Sequence, residues 1–158
     1  MKKEFKRSQT SSRLRKNEER HMTHSEVETF ALAKKIGAQL QGNEVVLLYG
    51  ELGAGKTVFA KGLAAGVGME DVHQVCSPSF TLVNIYPAKF PIFHIDLYRL
   101  KDSANIWDLG WEDYLDQGII IVEWAEKIQF EMEAIRVIIE VKNNEKRLIK
   151  IRRINKIF

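Results

Sequence analysis

LLYGELGAGKTVF, residues Leu47 to Phe59, is the stretch that decides the fold. An apolar run enters a glycine-rich turn, and a helix-forming run leaves it. Gly50 to Thr57 satisfies G-x-x-x-x-G-K-[ST] in the strand–turn–helix context that the motif requires. Glycines such as Gly53 and Gly55 let successive backbone N–H groups turn inward around phosphate oxygens. The following helix adds the positive end of its dipole. Lys56 is expected to reach the β- and γ-phosphates and the Thr57 hydroxyl to ligate Mg2+. A nucleoside triphosphate with Mg2+ is therefore the expected ligand.

The pattern on either side fits an α/β fold of the P-loop NTPase kind: a mixed, mostly parallel sheet flanked by helices, closed by a C-terminal β-hairpin. Thr23 and Ser25, each followed three residues later by Glu26 or Glu28, predict a capped helix from Glu26 to Leu40. Val45 to Tyr49 is apolar throughout, as in a strand covered on both faces. Lys56 to Ala65 is the helix after the turn. Further strands are expected at Phe80 to Tyr86, Ile92 to Asp96 and Ile119 to Val122. Asp102 to Asp116 reads as two helical pieces broken near Gly110. Ile135, Val137, Ile139 and Val141 alternate, Asn143-Asn144 makes a turn, and Leu148 to Ile154 returns as the hairpin.

The 158 residues and 45% hydrophobic content suit one domain with a real core. No apolar run reaches the ~18 residues that span a bilayer. The basic N-terminus has no apolar segment behind it, so a secretory signal is not expected. With one cysteine, Cys76, the chain cannot form an internal disulfide, and a reducing cytoplasm is the expected compartment. The net charge of +3 hides an asymmetry: residues 1 to 21 carry eight Lys or Arg against three Glu. That polar, basic stretch is read as a disordered extension, with residues 22 to 158 as the single domain.

Two carboxylates stand at predicted strand ends, where open α/β sheets bind ligands. Asp96 closes PIFHID and Glu123 closes GIIIVE. Each is a candidate Mg2+ ligand or the base that orients an attacking water, and the residues alone leave those two roles open between them. His94 shares a face with Asp96 and is read as a packing or supporting hydrogen-bond residue. The loop SPSFT lies between the phosphate-loop helix and Asp96, where P-loop switches place a segment that senses the γ-phosphate. Ser77, Ser79 and Thr81 offer hydroxyls there. No N-K-x-D is present, which points to ATP rather than GTP. No L-S-G-G-Q signature and no Arg-rich lid accompany the loop. A self-sufficient small kinase and a nucleic-acid-binding P-loop protein remain as alternatives. The latter would use the basic hairpin of Lys142, Lys146, Arg147, Lys150, Arg152, Arg153 and Lys156.

LYGELGAGKT, SPSFTLVNIY, FHIDLYRL, DLGWEDYL and IIIVEWAEK follow one another in an order and spacing that resembles the TsaE (YjeE) family, from about Met22 to the C-terminus. Ser79 and Ala125 depart from residues common in that family, Thr and Pro. The resemblance implies a small P-loop ATPase of bacterial tRNA modification, assisting formation of threonylcarbamoyladenosine beside the anticodon. It implies action on a complex of the transferase TsaD and its paralogue TsaB; tRNA contact is expected to be indirect or, on the charge of its residues, made by the basic hairpin. It places Mg2+ between Thr57 and Glu123, requires Asp96, and sets the helix start from Ser25 to Thr29 on the adenine side. Glu51, Leu52 and Ala54 become part of the family-specific loop.

Overall fold

The computed structural model describes residues 18–78, 83–100, 110–128 and 132–154. The expected sites Ser79 and Thr81 lie outside the described residues, as do residues 1–17, Lys156 and most of the expected Asp102 to Asp116 helix.

The chain begins with β1 (Glu18–Thr23) and α1 (Glu26–Gly37), then β2 (Val45–Tyr49) and α2 (Lys56–Gly66). β3 (Val83–Tyr86), β4 (Ile92–Asp96) and β5 (Ile119–Glu123) follow, and the hairpin β6 (Ala134–Val141) and β7 (Arg147–Ile154) ends it. All seven strands form one sheet in the order β1-β7-β6-β2-β5-β4-β3. The four strands β6, β2, β5 and β4 are mutually parallel. β7 pairs antiparallel with β6 and β1, and β3 pairs antiparallel with β4. The sheet is thus the α/β arrangement the sequence predicts, with its parallel part at the centre.

Alternation along the central strands sorts side chains into two cores. Val46, Leu48, Ile119 and Ile121 face α1 and α2, where they meet Ala33, Phe59 and Leu63. Val45, Leu47, Ile120 and Val122 face Phe93, Ile95, Leu97 and Trp111. Phe93 stacks on Tyr114 with ring centroids 4.4 Å apart. Phe59 and Leu63 are completely buried, each worth about 1.5–3 kcal/mol relative to exposure. The two helices approach closely at Gly62, where an added Cβ would lie 2.5 Å from the Ala33 Cβ.

Two expectations change. The helix expected to run to Leu40 ends at Gly37. Residues 18–21, assigned by composition to the disordered extension, form most of β1. They order because an edge strand needs backbone partners more than apolar side chains. Glu18 lies opposite Arg152, and their side chains pair at 3.0 Å. Downstream, Gly110 at φ 65° starts a short 3-10 turn, Trp111–Tyr114, at the place where a helical break was expected.

Candidate functional site

Alternation puts Ile92, His94 and Asp96 of β4 and Ile119, Ile121 and Glu123 of β5 on the same face of the sheet, and Asp96 and Glu123 are the last residues of their strands. Asp96 and Glu123 are Cα partners across the parallel pair. β2 lies on the other side of β5 and delivers Gly50 to that end. Three parallel strands therefore bring the phosphate loop and both carboxylates together, although they are far apart in sequence.

The loop turns through positive φ at Gly53 (78°) and Gly55 (110°), and a Cβ added at either would meet nothing within 4 Å. The space over the loop is open, as a phosphate cradle requires. Gly55 precedes α2 and offers no side-chain cap, so the first N–H groups of that helix have no intrahelical acceptor. Lys56 is buried, and its Nζ donates to the Gly50 carbonyl at 2.5 Å and the Glu51 carbonyl at 2.9 Å. Burial holds the ammonium below its ordinary value, opposed by Glu126, Glu123, Asp96 and Glu51. The Nζ also lies 3.8 Å from the centre of the Trp124 ring. Trp124 has φ 58°, a left-handed conformation that costs a bulky residue free energy and clusters at functional sites.

Glu123 is only 2% exposed. A buried carboxylate must be met by donors, and three arrive. The Thr57 hydroxyl donates to Oε1 at 2.9 Å, the Ser77 hydroxyl donates to Oε2 at 3.4 Å, and His94 Nε2 donates to Oε2 at 2.5 Å. Ser77 Oγ is also 3.0 Å from Thr57 Oγ1. Behind His94, Nδ1 meets the Tyr86 hydroxyl at 3.1 Å, and Tyr86 in turn bonds the Cys76 backbone through both N–H and C=O. This fixes His94 in the supporting role expected of it and links the 76–77 segment to Glu123. Asp96 is less enclosed and accepts the Tyr98 N–H at 2.8 Å. Burial and the charge of Glu123 raise its carboxyl above the usual range, while Tyr98, His94 and Ser77 act in the opposite direction.

A cleft of about 450 Å3 joins Ser25, Val27 and Thr29 at the start of α1 to Gly53, Ala54 and Gly55. The Ser25 hydroxyl is the α1 cap, accepting the Glu28 N–H at 3.1 Å, and the buried Thr29 hydroxyl pairs with Thr23 at 2.7 Å. Both residues, expected on the adenine side, line this cleft with their hydroxyls already bonded within the protein. Leu52 projects from the loop, 74% exposed. Another cavity of equal volume lies at the opposite ends of the strands, beside Glu44 and Asp116, and is lined by none of the residues expected to bind nucleotide or metal.

Three parts of the site were missed. Asn144, Glu145 and Arg147 form the far wall of the first cleft, and only the basic character of the hairpin hinted at them. That character has another explanation at several positions. Lys142 and Lys150 pair with Glu140 at 3.1 and 2.6 Å, and Arg152 pairs with Glu18. Arg147 donates to loop carbonyls. Tyr86 and the Cys76 backbone were likewise not anticipated. Among the described residues, no helix is long and apolar enough to cross a membrane.

The model of the family described as "Threonylcarbamoyl adenosine biosynthesis protein TsaE" matches residues 23–153. The tRNA threonylcarbamoyladenosine biosynthesis protein TsaE of Rickettsia conorii is 41% identical over 134 residues, covering 83% of this chain and 76% of that protein. The Bacillus subtilis protein of the same name is 39% identical over 126 residues, 77% of each chain. The crystal structure of Bacillus subtilis YdiB superposes with a TM-score of 0.71 at 31% identity, covering 87% of this chain and 86% of the other. A family match spanning this strand–loop–helix unit and both strand-end carboxylates shows that the chain belongs to the TsaE family of threonylcarbamoyladenosine biosynthesis proteins.

Proposed function

We propose that this protein binds and hydrolyses Mg·ATP as the accessory ATPase of threonylcarbamoyladenosine formation on tRNA, acting in the cytoplasm on a TsaD-type transferase paired with a TsaB-type paralogue. The observation that carries the reading is the convergence of Lys56, Thr57, Asp96 and Glu123 at the uncapped start of α2.

The donor set suits Mg2+. Thr57 and Glu123 present hydroxyl and carboxylate oxygens 2.9 Å apart, and hard cations take oxygen ligands. Mg2+ ordinarily uses one or two protein oxygens together with phosphates and water, so this pair is sufficient. Bound there, the ion would neutralise charge on the β- and γ-phosphates. Lys56 would exchange its two loop carbonyls for phosphate oxygens, and its burial strengthens that attraction by excluding water. Asp96 would orient the attacking water. Asp96 is less enclosed than Glu123, and its oxygens are less occupied, whereas those of Glu123 already meet Thr57, Ser77 and His94. His94 would keep Glu123 aimed at Thr57. Ser77 would report the state of the site to the following loop, where Ser79 and Thr81 are further γ-phosphate candidates.

Transfer of tRNA contact to the partner complex is favoured by the hairpin's internal ion pairs, which leave fewer of its basic side chains for nucleic acid. The test is ATP turnover with and without the partner pair. Turnover should be weak alone and rise on addition of the pair. Full turnover alone on a small acceptor would identify a kinase instead.

A further inference from the structure

Arg147 is the first residue of β7 and lies opposite Thr23 of β1 in the antiparallel register. Its guanidinium spans two structures. Nε donates to the Ala54 carbonyl at 2.9 Å and Nη2 to the Gly53 carbonyl at 3.4 Å. Nη1 donates to Asn143, Asn144 and Lys146 carbonyls at 2.8, 3.3 and 3.2 Å. One planar, permanently charged fork therefore ties the β6–β7 turn to the glycine-rich loop, a geometry that a lysine ammonium cannot copy.

We propose that Arg147 is a positioning residue for the phosphate cradle, holding the Ala54–Gly55 peptide so that its N–H faces the bound phosphates. The proposal rests on the nucleotide reading above and deepens it. The peptide unit is planar and trans, so the Ala54 C=O and the Gly55 N–H point in opposite directions. Pulling the carbonyl toward Arg147 turns the N–H away from the hairpin. Gly55 sits at φ 110°, with open space where a Cβ would be, so its own backbone does little to prevent that peptide from rotating. A fixed external donor supplies the missing constraint. Arg147 is itself anchored, because β1 covers β7 and Thr23 in that register position bonds Thr29 of α1. The hairpin, β1 and α1 thus act together as the frame against which the cradle is set.

The test compares the full-length wild type with Arg147→Ala, Arg147→Lys and the neighbouring Lys146→Ala. Mg·ATP and Mg·ADP affinities are measured by calorimetry, the Gly55 amide by 15N–1H spectra of the free protein, and folding by Tm. Arg147→Ala should bind both nucleotides at least tenfold more weakly and move the Gly55 amide resonance in the free, folded protein. Arg147→Lys should recover part of the affinity, and Lys146→Ala should stay within twofold of wild type. Arg147→Ala within twofold of wild type, or an unmoved Gly55 amide in the folded variant, overturns the proposal. Failure of the wild type to bind Mg·ATP would instead overturn the nucleotide reading, and the Gly55 amide would still decide the role of Arg147.

Discussion

The helices α1 and α2 begin in opposite ways. α1 is closed by its own side chains: Ser25 accepts the Glu28 N–H, and Glu28 returns to the His24 N–H at 2.6 Å. α2 begins at a left-handed glycine with no cap, and the residue that follows is a buried lysine. The first arrangement spends its N-terminal donors on stability. The second leaves backbone donors and the positive end of the helix dipole without a side-chain cap, which is stable in water and far more favourable with an anion present. Both starts lie in one cleft, so the contrast is local. It separates a helix start whose donors are met within the protein from one whose donors are left for the proposed ligand.

The largest effect expected is at α2. Lys56→Ala should abolish measurable Mg·ATP binding and hydrolysis, a loss of about 10²-fold or more, while leaving circular dichroism native. Retained hydrolysis would place the phosphates elsewhere. Next is Asp96→Asn, expected to lower hydrolysis by about 10²-fold with nucleotide binding preserved. The same variant has a pH signature. Burial raises the Asp96 carboxyl in the folded protein, so ionising it weakens the fold: its contribution is present below the unfolded carboxylate range and lost as pH rises through the folded value. In Mg2+-free buffer Asp96→Asn should therefore raise Tm at pH 7, and the gain should vanish as pH falls below about 4. An unchanged difference across that range would contradict the assignment.

At α1 the order of effects reverses. Ser25→Ala should cost about 1 kcal/mol of stability in denaturant unfolding, with Mg·ATP affinity changed by less than about threefold, or about 0.6 kcal/mol. A tenfold affinity loss without destabilisation would show that Ser25 acts on the nucleotide directly and would erase the contrast. Smallest of all, removing residues 1–17 should leave Mg·ATP affinity unchanged, whereas removing residues 1–23 should lower Tm by stripping β1 from β7.

The same contrast explains what was legible in sequence. α2 and its loop announce themselves because phosphate chemistry demands particular residues at fixed spacing from Gly50 to Thr57. Glu123 and Asp96 were legible because Ile119–Val122 is wholly apolar and Ile92–Ile95 is apolar apart from His94, and each run ends on a carboxylate. The division of labour proposed for the two carboxylates was not, since it rests on Thr57, Ser77 and His94 converging on Glu123 in space. β1 was missed because Glu18 to Thr23 contributes backbone pairing and an ion pair rather than apolar burial, and composition cannot see a partner 134 residues away. Arg147 was grouped with surface basic residues for the same reason, as nothing near it in sequence reveals that Ala54 lies beside it.

On the proposed reading, the open start of α2 works as an ATP site in threonylcarbamoyladenosine formation. Its most direct test is multiple-turnover formation of that nucleoside on tRNA in a system reconstituted with the TsaD–TsaB pair, adding either this protein or its Lys56→Ala variant. Wild type should give repeated turnover and the variant no stimulation. Equal stimulation by Lys56→Ala would contradict that reading.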